Sequence, residues 1–336
     1  MSSIPLLALT GHYCAPHRTR IRDLLTTDWT VKLWTPDQSV DHLHSLLSKA
    51  EAVVTGADAL LSGRLIGPIT QAKHLKLLQI PFSGHDWLKF EMLSSECTAC
   101  NVYEHHTTIA EYVMANILEW QIELRKIDPN FRTDSWDYGG SAVSGKKHGE
   151  VRGKTIGILG YGRIGEQIAK RAKAFDMRII AVGRSSKPTP KPLDWLGTHA
   201  QWPQLIEQSD FLVLTCPLTD STRGIVDAET LKTMKPSSVI INVARGPVID
   251  EAALYNALKT GTIAGAVLDV WYAYPQPGEA TCSPANHPFH ELENTILTPH
   301  CAGWTDAQDE RRWTTIADNL DRLRRGDPLR NIITLN

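Results

Sequence analysis

The stretch KTIGILGYGRIGEQIAKRA, residues 154–172, decides how the rest of the chain reads. Thr155–Leu159 alternates β-branched and small residues, the pattern of a short buried strand. Gly160-Tyr161-Gly162-Arg163-Ile164-Gly165 follows, and then Ile164, Ile168 and Ala172 recur four apart, which is helical spacing. Strand, glycine turn and helix in that order is the setting a dinucleotide fingerprint needs. Gly160 permits the tight turn, Gly162 lets the backbone approach a pyrophosphate, and Gly165 lets helix and strand pack closely. The helix N-terminus offers N–H groups and a partial positive charge to phosphates. The competing reading is an ordinary glycine-rich turn.

Working outward, 336 residues are enough for two domains. A hydrophobic share of 42% with 21% charged residues fits a globular protein, and a net charge of −2 argues against a nucleic-acid footprint. No apolar run approaches the roughly 20 residues of a membrane span. Ile4–Leu9 is short and lacks preceding basic residues, so no signal peptide is expected. Cysteines stand at 14, 97, 100, 216, 282 and 301. Cys97-Thr-Ala-Cys100 has redox or zinc spacing, but without a second pair the expectation is two reduced thiols and no metal. The cytoplasm is the expected compartment.

Before the fingerprint, strands are expected at 4–10, 30–34, 52–55 and 75–80, with helices at 17–25 and 40–47. That alternation predicts a first α/β unit with a parallel sheet. The spacing from Thr107 to Ile127 predicts one long helix stopped before Pro129, and residues 130–150 read as a surface loop. After the fingerprint, strands are expected at 178–182, 211–215, 238–242, 263–269 and 295–297. Helices are expected at 204–208, 228–233, 251–260 and 305–324. This is a second α/β series. Tyr272–His290, polar and proline-rich, reads as an ordered loop near a site.

Several further motifs keep a family's order and spacing: Ile109-Ala-Glu111, Trp136, GYGRIG, Cys216-Pro217-Leu218-Thr219, Asn242-Val243-Ala244-Arg245-Gly246, Leu268-Asp269-Val270 and Thr298-Pro-His300. With them the chain resembles the D-isomer-specific 2-hydroxyacid dehydrogenases, a group that includes glyoxylate/hydroxypyruvate reductases and has formate and phosphite dehydrogenases as relatives. The resemblance runs from about Leu75 to the last helix; the first 70 residues match only in rhythm. It implies an α/β fold of two doubly wound parallel-sheet domains. A Rossmann cofactor domain, 102–299, is inserted in a smaller flavodoxin-like substrate domain, 1–101 with 300–336, and the site lies in the cleft between them. It also implies a homodimer, in which the helix opening at Ala110-Glu111 and the loop after it embrace a partner through Ile109, Val113, Ile117 and Trp120.

The same resemblance implies roles for single residues. Arg245 would orient and polarise the substrate, since a guanidinium is always charged and presents a planar fork to carboxylate and carbonyl oxygens. His300 would be the acid/base, histidine alone titrating near neutrality without perturbation. Cofactor contacts are expected from Gly160 to Gly165, Gly183, Arg184, Ser185, Ser186, Cys216, Pro217, Val243, Ala244, Asp269 and His300. Asp269 would meet the nicotinamide carboxamide or, alternatively, act as a capping or ion-pairing Asp. Pro81-Phe-Ser83-Gly84-His85-Asp86 corresponds to the loop that grips the substrate carboxylate, with backbone N–H groups near Ser83 and Gly84 as donors. In Glu104-His105-His106, His105 takes the place of a substrate-binding Asn of formate dehydrogenases; metal binding and a plain surface pair are the other readings. Trp87, His105, Tyr274 and Trp304 are candidates for the pocket.

Two departures matter. NAD-dependent members carry an Asp at the end of the second strand for the adenosine ribose; here that position is Gly183, followed by Arg184-Ser185-Ser186-Lys187. The expectation is therefore NADP(H) preferred, with NAD(H) tolerated. The family Glu that pairs with the catalytic histidine is replaced by Tyr274, so His300 is expected to lack a carboxylate partner and to titrate near 6.5, unless Glu279 or Glu291 reaches it. The expected function is hydride transfer between NADP(H) and a small anionic 2-oxo or 2-hydroxy acid. The alternatives are hydride abstraction from a small anion without a base, as in formate dehydrogenase, and a dinucleotide-sensing corepressor.

Overall fold

The computed structural model describes residues 4–56, 59, 64–85, 88, 90–184, 188–276 and 279–334. Two compact units emerge. One comprises Met1–Glu104, Pro275–Thr281 and Thr305–Asn336; the other comprises His105–Tyr274 and Cys282–Trp304.

The first unit runs β1 (Leu6–Thr10), α1 (Arg18–Leu24), β2 (Thr30–Trp34), α2 (Val40–Leu47), β3 (Ala50–Thr55), α3 (Ile66–Thr70), β4 (Leu77–Gln79) and β5 (Thr98–Cys100). All pairings are parallel, in the order β2-β1-β3-β4-β5. Strands such as Leu6–Thr10 are almost wholly buried, as expected for a parallel sheet covered on both faces.

The second unit opens with α4 (His106–Ile122), α5 (Leu124–Phe131) and α6 (Gly140–Val143). Its α/β series is β6 (Thr155–Leu159), α7 (Arg163–Ala174), β7 (Arg178–Gly183), β8 (Trp195–Thr198), α8 (Trp202–Gln208), β9 (Phe211–Leu214), α9 (Ala228–Thr233), β10 (Val239–Asn242), α10 (Glu251–Lys259), β11 (Gly265–Leu268) and β12 (Thr295–Leu297). Seven parallel strands lie in the order β12-β11-β10-β9-β6-β7-β8. The order reverses between β6 and β9, which makes the carboxyl ends of those strands the topological switch point of the sheet. The last helix, α11 (Asp306–Arg325), belongs to the first unit and buries Trp313, Ile316 and Leu320 against Leu7, Leu9 and Cys14.

Two expectations need correction. The helix expected at 107–127 ends at Ile122, because Glu123 turns left-handed at φ 61°, and α5 then carries Pro129 inside it. The stop is not the proline. Glu119 Oε1 accepts from both the backbone N and the Nε of Arg125, which anchors the new helix across the break. The apolar face of α4 is also not open to a partner. Ile109, Val113 and Ile117 are buried in the core of their own unit, with Ile156, Ile158 and Ile168, and Trp120 packs against that cluster. Trp120 lies so close over Gly265 that a Cβ there would overlap its ring.

Candidate active site

The three fingerprint glycines meet three different constraints. Gly160 has φ +98°, and a Cβ on it would sit 2.7 Å from the backbone N of Cys216. Both the left-handed turn and the close approach therefore need glycine. Thr215 Oγ1 donates to the Gly160 carbonyl at 2.6 Å, so the expected contacts Gly160 and Cys216 are joined at the strand-order reversal. A Cβ on Gly165 would stand 3.0 Å from the Gly160 carbonyl oxygen and 3.2 Å from the Ile158 side chain, which sets how closely α7 packs on β6. Gly162 differs: nothing lies within 4 Å of its Cβ position. It is the N-cap of α7 and has no side chain to satisfy the first N–H groups. Open space in front of an uncapped helix N-terminus fits a pyrophosphate. Tyr161 and Ile164 are half-buried beside it, Arg163 is exposed, and burial raises the Tyr161 phenol above its ordinary value, with Glu166 adding to the rise.

Gly183 is the last residue of β7. Its φ lies outside the left-handed region, and a Cβ would meet only Leu196 Cδ1 at 3.9 Å. The backbone does not require glycine there. Arg184 is exposed. Ser185 and Ser186, with Lys187, lie outside the described residues.

The N-x-x-R-G motif has a local cause. Asn242 Oδ1 accepts from Ala244 N at 3.0 Å and its Nδ2 donates to the Arg245 carbonyl at 3.0 Å. One buried amide closes the turn that presents Arg245. Gly246 must be small, since a Cβ there would lie 2.3 Å from the Trp271 carbonyl oxygen. Val243 and Ala244 are buried, and Arg245 is half-buried with Nη1 donating to the Ala244 carbonyl at 2.8 Å. Pro217 is held from behind by Thr222 Oγ1, which donates to its carbonyl.

His300 sits past β12 at φ +58°, unusual for a residue with a Cβ and a strain of about 1–3 kcal/mol. Its neighbours hold it there. The buried carboxylate of Asp269 accepts from Thr298 Oγ1 at 2.6 Å, from Cys301 N at 2.8 Å and from Ala302 N at 3.0 Å. Trp271 Nε1 donates to the Thr298 carbonyl at 2.8 Å, and His300 N donates to the same oxygen. Although the residue is exposed, loss of ring hydration pulls the His300 imidazole below 6.5; Asp269 draws it up and Arg245 presses it down again. Asp269 and Arg245 thus both act on His300 within a single unit. The expectation that no carboxylate acts on His300 is corrected: Asp269 supplies such a field. The net shift is nevertheless downward, away from 6.5, because dehydration is the largest effect.

Tyr274 stands with its ring centroid 5.5 Å from that of His300, and its hydroxyl accepts from Trp271 N at 3.0 Å. Trp304 is 57% exposed. His105 is half-buried just before α4, with its Cβ 3.2 Å from where a Cβ on Gly303 would be. In the first unit, Ser83 and Gly84 form a half-buried turn after β4. Asn101 Nδ2 donates to the Ser83 carbonyl at 2.9 Å, Val102 N donates to the Phe82 carbonyl, and the Arg312 guanidinium lies 5.0 Å over the Phe82 ring. Asp86 and Trp87 lie outside the described residues. Glu104 pairs with Arg311. Cys97 and Cys100 are free thiols that burial pushes up to about 11 and about 12, so both stay protonated. Among the described residues no three His, Cys, Asp or Glu side chains are grouped to hold a metal ion.

Asn242 and Thr298 lie inside the family motifs, and an Asn before a tight turn is a readable signal for the role Asn242 plays. Tyr112 and Trp271 carried no signal, since their partners are distant in sequence.

Residues 114–302 match the family model described as D-isomer specific 2-hydroxyacid dehydrogenase, NAD binding domain. The chain is 32% identical over 316 residues to a glyoxylate reductase of Pyrococcus furiosus, covering 91% of this chain and 89% of that one. A D-isomer specific 2-hydroxyacid dehydrogenase family protein from Aeromonas salmonicida superposes with TM-score 0.81 at 24% identity, covering 99% and 100% of the two chains. The NADPH-dependent glyoxylate/hydroxypyruvate reductase of Sinorhizobium meliloti, solved with NADP and malonate, superposes with TM-score 0.75 at 24% identity over 99% and 97%. At that identity the two structures show a shared fold.

Proposed function

The chain belongs to the D-isomer specific 2-hydroxyacid dehydrogenases, NAD(P)-dependent oxidoreductases acting on CH–OH groups, and on that footing we propose that it reduces a small 2-oxo acid, glyoxylate or hydroxypyruvate, with NADPH. The observation that supports this best is the seating of the His300 segment on the Asp269 carboxylate, through Cys301 N and Ala302 N, with His300 in the electrostatic reach of Arg245 in the fingerprint-bearing unit. A bound nicotinamide dinucleotide supplies the hydride. The chain's own part is threefold. Arg245 holds the carboxylate and draws electron density from the carbonyl through its fork of donors. His300, as imidazolium, gives a proton to the carbonyl oxygen. Asp269 keeps the His300 segment in place. Ser83, Gly84 and His105 are the further proposed substrate contacts, and the proposed cofactor contacts are Gly160 to Gly165, Cys216, Pro217, Val243 and Ala244.

The preference for NADPH rests on Gly183. An acidic side chain would repel a 2′-phosphate, the backbone has room for one, and none is present. Arg184, exposed at the strand end, supplies the opposite charge. Initial rates with a panel of 2-oxo acids against NADPH and NADH test both statements. Equal or better kcat/KM with NADH overturns the cofactor preference. Formate oxidation without 2-oxo acid turnover favours the base-free alternative, and cofactor binding without any turnover favours a sensing protein.

The proposed partner is a second copy of the chain, through a surface other than α4. Leu124, Phe131, Trp136 and Val143 are each more than half exposed within twenty residues, and Phe131 meets Trp136 edge-on at 5.5 Å. Sedimentation at micromolar protein should show a species near twice 37.3 kDa, and Phe131→Ser with Trp136→Ser should shift it to the single mass. A 37.3 kDa species alone in the unmodified protein rules the dimer out. Scattered cysteines with no paired spacing beyond Cys97 and Cys100 fit a reducing compartment, the cytoplasm in this reading.

A further inference from the structure

We propose that Tyr112, on α4, is a positioning residue for His300 that acts through the hydroxyl of Thr298. The inference rests on the reading of His300 as the acid/base. Tyr112 Oη and Thr298 Oγ1 are 2.7 Å apart, and Thr298 Oγ1 is 2.6 Å from Asp269 Oδ1. Proton counting gives the chain a direction. The carboxylate can only accept, so the single hydroxyl proton of Thr298 goes to Asp269. The Thr298 oxygen is then an acceptor, and the Tyr112 O–H donates to it. A donor behind Thr298 polarises its hydroxyl and strengthens the bond to Asp269. Asp269 in turn holds the N–H groups of Cys301 and Ala302, the two residues after His300. The chain of bonds therefore ends on the segment whose left-handed residue is His300.

Tyr112 suits this role. It lies on a helix whose neighbouring residues Ile109 and Val113 are locked in the core, so its hydroxyl has a fixed origin. Burial, with the Asp269 charge adding to it, pushes its phenol up to about 12, so it remains a donor across the working range of the enzyme. Phenylalanine would fill the same space, so packing alone does not call for the hydroxyl.

The test compares the intact protein with Tyr112→Phe, Thr298→Val and the double variant. Tyr112→Phe should lower kcat/KM for the 2-oxo acid about tenfold, the scale of one hydrogen bond. The change should appear in kcat, with the Kd for NADPH, measured by fluorescence, within about twofold of wild type. The double variant should be no worse than Thr298→Val alone, because both remove the same chain. Additive losses, or a Tyr112→Phe variant with wild-type kcat, overturn the proposal.

A second readout does not need turnover. The His300 imidazole is titrated by NMR, with His300→Asn for assignment. The charged groups acting on it are Asp269 and Arg245; the Tyr274 ring stands beside it, and Cys301 follows it in the chain. In Tyr112→Phe the loosened segment regains water, and the imidazole should titrate closer to its ordinary value, a move in the direction opposite to the dehydration that lowers it. An unmoved titration overturns the proposal even if activity falls. If wild type turns over no 2-oxo acid, the acid/base reading fails, while a shifted titration still establishes that Tyr112 positions His300. Should Tyr112→Phe not fold, Thr298→Val against Thr298→Ser, which restores the hydroxyl, makes the same comparison.

Discussion

The rings of Tyr274 and His300 stand 5.5 Å apart, tilted by 51°, while the Tyr274 hydroxyl is turned to the backbone N–H of Trp271. The phenol thus flanks the imidazole without offering it a charge, at the position where relatives are expected to carry Glu. Reduction needs imidazolium, and the His300 value lies below 6.5, so kcat/KM for reduction should fall as pH rises through a value under 6.5. Tyr274→Glu should carry that limb upward by about 1–3 units. Tyr274→Phe should leave it in place. A wild-type limb above pH 8 would contradict the assignment.

Gly183→Asp should transfer preference from NADPH to NADH. The strand end has room for the new side chain, so stability should hardly change. Loss of kcat/KM with NADPH by tenfold or more, about 1.4 kcal/mol, with a gain for NADH, is the expected outcome. Arg184→Ala should raise KM for NADPH and spare that for NADH. Parallel losses with both cofactors would mean that neither residue reads the 2′-position.

Gly246→Ala should be poorly tolerated, because the added carbon would lie 2.3 Å from the Trp271 carbonyl. Overpacking of this kind costs about 1–3 kcal/mol. The strain falls between the Arg245 turn and the segment that contacts Tyr274, so activity should drop along with Tm. An alanine variant with unchanged Tm would show that this approach is looser than described.

Asp321 provides a pH signature for the first unit. Burial pushes its carboxyl up, but four hydrogen bonds from the N–H and hydroxyl groups of Thr26 and Thr27 more than reverse this, and the net shift is downward. A lowered carboxyl stabilises the fold fully above its unfolded value, near 3.9, and loses that contribution as pH falls through the folded value. Asp321→Asn should cost about 1–3 kcal/mol at pH 7. It should also make the acid loss of stability shallower below pH 4, measured by urea unfolding across pH.

Much of the second unit could be read from local chemistry. The strand over Thr155–Leu159, the helix over Ala228–Thr233 and the strand over Thr295–Leu297 fall at their expected limits. The two strands are short β-branched and apolar runs, and Asp227 caps the helix by accepting from Thr230 N. β8 and β5 are not marked in the sequence, because Trp-Leu-Gly-Thr is broken by a glycine and Thr-Ala-Cys holds a single β-branched residue. The helix break at Glu123 was missed for another reason: proline is a strong local signal, whereas a left-handed Glu stabilised by Glu119 and Arg125 is not.

The amino-acid sequence alone determined the fingerprint turn and the parallel α/β rhythm, since each depends on groups within a few positions of one another, and its family motifs singled out Arg245 and His300. Only the tertiary structure decided what surrounds them. It placed Asp269 under the His300 segment, brought Tyr112 to Thr298 across 186 residues, and buried Ile109, Val113 and Ile117 within their own unit. An amphipathic stripe states that a face will be covered but not by what, and a buried carboxylate takes whichever donors the fold delivers. Those partners are chosen by sheet order and helix packing, which bring together residues with no local relation.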